Sequence, residues 1–260
     1  MRRMSWAAGI CAVIFMSAGL AAEDTNQREL KRDAVSRVVE AHDVTLPVHI
    51  GRVYVKQAAL AAARELLAEK GRAAGLDART WDMGLPHWQA AEQALMQGTD
   101  GLIERKVAGG FWLQEAWSEQ VGTVLNGEEA DEIAVHFRSE GGELQRRVIE
   151  WFVGELTLQT YTFTDRLKYG VPGSEREMRD LQVATYEAKS RFPPIYDLTQ
   201  YDNTMRFASS EAGIKYFKMM ATQGVNLVHQ HLEIVAQEAR DMIRSRTALV
   251  DPYIKKAQAR

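Results

Sequence analysis

The stretch FRSEGG at residues 137–142 returns as FASSEAG at residues 207–213. In both copies a serine suited to cap a helix is followed by a glutamate, which the positive N-terminal end of a helix favours. The recurrence predicts two related helix-turn-helix units on one chain. The motif residues are Phe137, Ser139, Gly142, Phe207, Ser210 and Gly213. We expect the two glycines to let the helices of each unit pack closely at the corner. The alternative interpretation is a glycine loop that binds phosphate. Such a loop would need a preceding strand and a following lysine, which these stretches lack.

Helical composition continues outward from these two copies. The chain is rich in Ala, Leu, Glu, Gln and Arg and has only six prolines. We predict helices over residues 26–41, from a break at Pro47 to residues 71–75, from Pro86 to residues 109–110, and over residues 112–124 and 128–137. In the second of these, Val53, Leu60 and Leu67 are expected to follow one face. The fold class is therefore predicted to be all-α, a bundle of about seven to nine helices.

The segment at residues 156–164, LTLQTYTFT, is the exception to the helical composition. Its β-branched and aromatic residues allow a strand, but no partner strand is visible elsewhere, so we favour a helix. The turn at residues 171–173, VPG, is the expected hinge. The predicted organisation is a signal peptide at 1–22, an N-terminal helical unit at 23–170 and a C-terminal one at 171–260, sharing a core.

One long helix is predicted from Glu211 onward. Apolar residues recur along it at alternating spacings of four and three: Ala221, Val225, Val228, Leu232, Val235, Ala239 and Met242. This seam is typical of a coiled coil. It predicts an intramolecular bundle contact or, alternatively, a homodimer through residues 221–242.

The N-terminus resembles a secretory signal peptide. Arg2 and Arg3 precede an apolar run of about ten residues, and small residues follow up to Ala22. The run is shorter than the roughly 20 residues that span a bilayer, so we expect no membrane span in the mature chain and a periplasmic location. The one cysteine, Cys11, lies inside this run. The mature chain is therefore expected to have no disulfide, no cysteine-bound zinc and no cysteine nucleophile.

Charge argues against nucleic acid as a partner. Without Arg2 and Arg3 the chain keeps 30 basic against 35 acidic residues, a formal net charge of −5. Nucleic-acid binders usually carry a clustered basic face.

Few residues have a pattern that suggests catalysis or metal binding. His229 and His231 are two apart and point about 200° from each other on a helix, so they cannot share a metal ion. His136 has no ligand spacing around it and is assigned a structural role. Glu155 interrupts an apolar stretch and could be a buried proton acceptor in a hydrolase, or could mark the solvated stripe of its helix. We predict no metal, no cofactor and no catalytic residues, and we favour a non-enzymatic protein while leaving an enzyme open.

Aromatic residues crowd the first two-thirds of the mature chain. They could line a cavity for an apolar ligand, although aromatics at helical spacing are more often core residues. The candidate ligand-binding residues are Trp112, Trp117, Trp151 and Phe152.

Residues 125–144, LNGEEADEIAVHFRSEGGEL, resemble the exported bacterial domain of unknown function 2059. That domain typically shows a Leu-x-x-x-Glu-Leu helix, then Phe-Tyr-x-Ser-Pro-x-Gly and a second helix. The resemblance covers residues 125–155 and 198–235, and glutamate replaces the proline after serine in both copies. It implies an exported all-helical protein and transfers no catalytic residues.

The sequence thus predicts a non-enzymatic periplasmic interaction or binding module with an unknown protein partner. The alternative is a carrier of an apolar small molecule or lipid.

Overall fold

The computed structural model describes residues 27–42, 44–139, 141–150 and 198–259. Every regular element in these ranges is a helix, which confirms the prediction of an all-α helical bundle. The chain divides into two compact units. Unit 1 contains residues up to 42, 117–146 and 194–219, and unit 2 contains 43–116, 147–193 and 220–260.

Unit 1 is built from the segments that carry the repeated motif. Helix α1 covers residues 27–40, and the second half of α5 (Phe111–Val124) belongs to this unit. Helix α6 (Gly127–Phe137) is followed by α7 (residues 141–150), which leaves the unit after residue 146. Helix α8 (Leu198–Ala208) is followed by α9 (Glu211–Met219). The two motif copies are therefore the α6–α7 and α8–α9 connections.

Unit 2 is built around a long helix, α2 (Thr45–Ala73). Helices α3 (Pro86–Met96) and α4 (Thr99–Ile103) follow, and α4 continues into a π-helical turn, Glu104–Ala108. A second π-helical turn, Met220–Gly224, leads into α10 (Val225–Arg244). A 3₁₀ turn, Thr247–Val250, then precedes α11 (Asp251–Gln258).

Helices α2 and α10 pack along each other and run in the same direction. Leu232 lies against Gly51, Arg244 bonds to Glu65, and Asp251, which follows α10, bonds to Lys70. The residue numbers of the contacting pairs therefore increase in the same direction along both segments. Small residues at 58, 59, 62 and 63 of α2 are buried, which lets the two backbones approach. This pairing forms the core of unit 2.

The predicted seam lies partly in this contact. Val228, Leu232, Val235 and Ala239 are buried, as the intramolecular interpretation expects. The two ends of the predicted seam are not buried as expected. Ala221 is exposed, and Ile243 rather than Met242 is fully buried. A straight helix of 3.6 residues per turn drifts away from a 3.5-residue pattern over three heptads. The homodimer through residues 221–242 stays a prediction.

Two predicted helix limits and one predicted helix face need correction. Helix α2 begins at Thr45, before Pro47, because a proline is tolerated in the first turn of a helix. The helix predicted from Pro86 to residue 110 is interrupted at Gly98, whose φ of +83° ends α3. On α2 the buried face runs through Tyr54 and Val55 rather than Val53.

The two units also differ from the predicted organisation, because unit 1 combines residues near the N-terminus with residues 198–219. The expected boundary between 170 and 171, the signal peptide at 1–22 and the segment 156–164 lie outside the described residues. None of the described helices combines the length and the apolar character needed to cross a bilayer.

Candidate functional site: the paired helix corners

The first corner joins α6 to α7 around Ser139 and Gly142. The Ser139 hydroxyl accepts a hydrogen bond from the Gly142 amide at 3.2 Å and donates one to the His136 carbonyl at 2.6 Å. Ser139 is therefore an N-cap residue, as predicted. A Cβ atom on Gly142 would lie 1.7 Å from the His136 carbonyl oxygen. The corner closes this tightly only because Gly142 has no side chain.

The second corner joins α8 to α9 with the same geometry. The Ser210 hydroxyl accepts a hydrogen bond from the Gly213 amide at 3.1 Å. The backbone amide of Ser210 donates a hydrogen bond to the Phe207 carbonyl at 3.0 Å. A Cβ atom on Gly213 would lie 2.0 Å from the Phe207 carbonyl oxygen. Ser210 therefore caps α9, and Gly213 allows the close backbone approach at this corner.

The shared geometry corrects the alignment of the two copies. A constant offset of 71 positions relates 139 to 210, 142 to 213 and 136 to 207. Phe207 is thus the equivalent of His136, and Phe137 is the equivalent of Ala208. The sequence alignment matched Phe137 with Phe207 because both are phenylalanines, although the distance to serine differs by one residue.

The two corners meet through the equivalent residues His136 and Phe207. Their rings stack at 3.8 Å between centroids, with only 11° between the planes. The Gln145 side chain bonds to the His136 ring at 2.7 Å and donates to the Thr204 carbonyl at 3.5 Å. The Thr204 hydroxyl donates to the Gly141 carbonyl at 3.3 Å. The two corners are therefore joined by one ring stack and by hydrogen bonds to backbone carbonyls on both sides.

Behind this contact lies a group of buried rings, here called the ring cluster. Its members are His42, Trp117, Phe137, Phe207 and Tyr216. The His42 ring lies 5.2 Å from Trp117 and 5.5 Å from Phe137, and its Nε2 is hydrogen-bonded to the Tyr216 hydroxyl. Edge-to-face pairs of this kind add to the free energy of burial. The ring cluster is the core of unit 1.

Charged residues at the start of α6 tie it to α9. Asn126 accepts from the Glu129 amide and donates its own amide to the Glu129 carboxylate, which completes a capping box. The same carboxylate accepts from Lys215 of α9. The hydrogen bonds from Lys215 and then from the Asn126 backbone lower the pKa of Glu129, and Glu129 raises the pKa of Lys215.

Several large apolar side chains of unit 1 face outward. Val135, Tyr201, Met205 and Ile214 are each about half exposed or more. Tyr201 and Met205 are one helical turn apart on α8, so they share a face. Among residues 201–208 of this helix only Phe207 is buried. Helix α8 therefore packs into unit 1 through the Phe207 ring and the hydrogen bonds of Thr204, and it presents an apolar pair to solvent.

Two of the four candidate ligand residues, Trp112 and Trp117, lie in the part of the chain that the structure describes. Trp117 is 1% exposed within the ring cluster of unit 1. Trp112 belongs to unit 2, where it stacks on His231 at 4.2 Å. Five positions along α5 place the two indoles about 140° apart around the helix. Trp151 and Phe152 lie outside the described residues, as does Glu155.

Two of the histidines that the sequence analysis considered, His136 and His231, contact side chains or backbone of other helices. His231 bonds to the Lys106 carbonyl at 3.1 Å in addition to its stack on Trp112. His136 has the structural role that the sequence predicts. The described residues contain no group of three or more His, Cys, Asp or Glu side chains placed to hold a metal ion.

Sequence reasoning missed a polar network inside unit 2. Arg240 is 5% exposed, and its guanidinium donates to Glu233 at 2.6 Å and to Gln237 at 3.0 Å. The Tyr54 hydroxyl of α2 donates to the same Glu233 carboxylate. The Tyr54 hydrogen bond therefore links α2 to an ion pair that lies within α10. Its signal was the seven-residue spacing of Glu233 and Arg240 beside the apolar seam.

Comparisons with family models, with curated proteins and with solved structures found no match to this chain.

Proposed function

We propose that this protein is an exported, non-enzymatic helical module that binds another protein. The observation that supports it most directly is the outward pair Tyr201 and Met205 on α8, 50% and 47% exposed. Aromatic residues and methionine are enriched at protein interfaces relative to other surfaces. An apolar pair on one face of a helix suits a partner with an apolar groove or helix. The N-terminal residues 1–22 support export.

The paired corners support the same proposal. Both motif copies have caps, close backbone contacts and buried rings that hold a helix pair in a fixed geometry. A rigid support is what a helix needs to present a binding face, because ordering it on binding would weaken affinity. We further propose that the two copies are related to the exported domain of unknown function 2059, which the sequence resembles. That family supplies no chemistry, in keeping with a binding role.

Site-specific photo-crosslinking tests the proposal in cells of the native host. A photo-reactive phenylalanine replaces Tyr201 or, separately, Met205 in the full-length chain. We expect adducts heavier than the chain at both positions. The matched control is Glu115, an exposed polar position on α5, where no such adduct should form. Adducts confined to the chain itself, or equal yields at Glu115, would show that this face of α8 does not bind a partner.

The alternative is a carrier of an apolar small molecule or lipid. Its support is the number of aromatic residues, although Trp117 is packed against His42 in the ring cluster. Native mass spectrometry of the protein purified from its own compartment separates the two functions. A retained small molecule would favour the carrier, whereas a protein complex would favour the interaction module and identify the partner.

A further inference from the structure

His136 occupies the point where the two corners of unit 1 meet. Its ring stacks on Phe207, the equivalent residue of the other corner, and its Nε2 bonds to Gln145. Its carbonyl oxygen accepts from Ser139 and lies against Gly142. A change at the imidazole therefore acts on the contact between the corners and on one corner itself.

The surroundings of the His136 ring favour its neutral form. Burial lowers the pKa of His136, while Gln145 and the Glu132 carboxylate raise it by smaller amounts. From α7 the facing group is the uncharged Gln145 amide, and from α8 it is the Phe207 ring. His42 and Tyr216 are the titratable groups on the far side of Phe137. Glu132, on the same helix, is the negative charge that acts on the ring.

We propose that His136 is an acid-sensitive latch between the two helix corners of unit 1. At neutral pH the uncharged imidazole stacks on Phe207 and holds Gln145 in place to reach the Thr204 carbonyl. At acid pH, protonation favours conformations in which the ring reaches water, so the contact between α6 and α8 opens. Histidine is suited to this role because its ordinary pKa of about 6.5 lies within the range of environmental pH.

The sign follows from proton linkage. A histidine whose pKa is lowered in the closed state binds fewer protons there than in the open state. The free energy therefore favours the closed state fully above about pH 6.5, and the closed state becomes less stable relative to the open state as the pH falls below that value. Opening would expose Phe137 and Phe207 next to the outward pair on α8. The latch does not depend on the identity of any partner.

Hydrogen exchange mass spectrometry on the full-length mature chain tests the latch. Exchange is measured at about pH 7.5 and about pH 5, with correction for the intrinsic rates at each pH. We expect peptides from α6 and α8 to lose protection at the lower pH. Peptides from α2 in unit 2 serve as the internal control and should keep theirs. His136→Phe retains a ring for the stack but cannot be protonated, so it should abolish the acid-induced loss.

Gln145→Glu provides a second variant with the opposite sign. A carboxylate beside the imidazole would stabilise its protonated form, although it no longer donates to the Thr204 carbonyl, so acid should remove less of the corners' protection than in the wild type. This variant keeps the test decisive if His136→Phe fails to fold. Equal acid-induced loss in the wild type and in either folded variant would overturn the proposal and assign the pH dependence to His42 or to carboxylates.

Discussion

Replacing Gly213 by alanine should destabilise unit 1 although alanine is the better helix former. The new Cβ would lie 2.0 Å from the Phe207 carbonyl oxygen, a backbone atom that cannot swing away like the end of a side chain. Opening the corner weakens the Ser210 cap, at about 1 kcal/mol, and strains the packing by about 1–3 kcal/mol. We therefore expect a loss of about 2–4 kcal/mol in the free energy of opening unit 1.

The assay is hydrogen exchange of α6 and α9 amides at increasing urea concentration, which reports the free energy of opening for unit 1 alone. The matched control is Gly122→Ala on α5, where the nearest atom to the new Cβ is Val35 Cγ2 at 4.0 Å. That change should stabilise by up to about 1 kcal/mol, the ordinary gain of alanine over glycine in a helix. If Gly213→Ala behaves like Gly122→Ala, the close approach does not control the corner.

Further predictions concern the capping box and the core of unit 2. Asn126→Ala removes the cap of α6 and should cost about 1 kcal/mol in the same exchange assay. The pKa of Glu129 is lowered in the folded state, so its charge stabilises unit 1 above about pH 4.5 and this contribution is lost as the pH falls below that value. Glu129→Gln should therefore flatten the dependence of unit 1 stability on pH between about pH 5 and pH 3, and an unchanged slope would contradict the role of Lys215. Leu232 is fully buried, so Leu232→Ala should lower the free energy of opening measured at the α2 amides by about 2–5 kcal/mol. Leu249 is 44% exposed, so Leu249→Ala should change this free energy by less than about 0.5 kcal/mol.

The helix corners were predictable from the sequence because their determinants are local. Ser139 and Gly142 are three positions apart, and capping needs only this spacing and the right residue types. The register between the two copies was not predictable. It depends on which backbone carbonyl each glycine contacts. In the first copy the equivalent of Phe207 is His136, and the phenylalanine that the sequence suggests as its match, Phe137, is the next residue.

The ring cluster and the polar network depend on contacts between distant segments. Nothing near His42 in the sequence indicates that it meets Tyr216, and Tyr54 lies far from Glu233. The same limit explains Trp112 and Trp117. Both were proposed as ligand-binding residues because aromatic residues crowd this part of the chain, whereas their contacts with His231 and His42 join segments far apart in sequence.

The parallel pairing of α2 with α10 has a consequence for the order of folding. Tyr54 and Glu233 are 179 positions apart, and all of the described residues of unit 1 from 117 to 219 lie between them. During synthesis from the N-terminus, the buried face of α2 has no α10 to cover it until residues 225–244 emerge. Closing so long a loop is entropically costly and slow. Until α10 pairs with α2, the nascent chain exposes this apolar helix face, which favours aggregation unless a chaperone covers it.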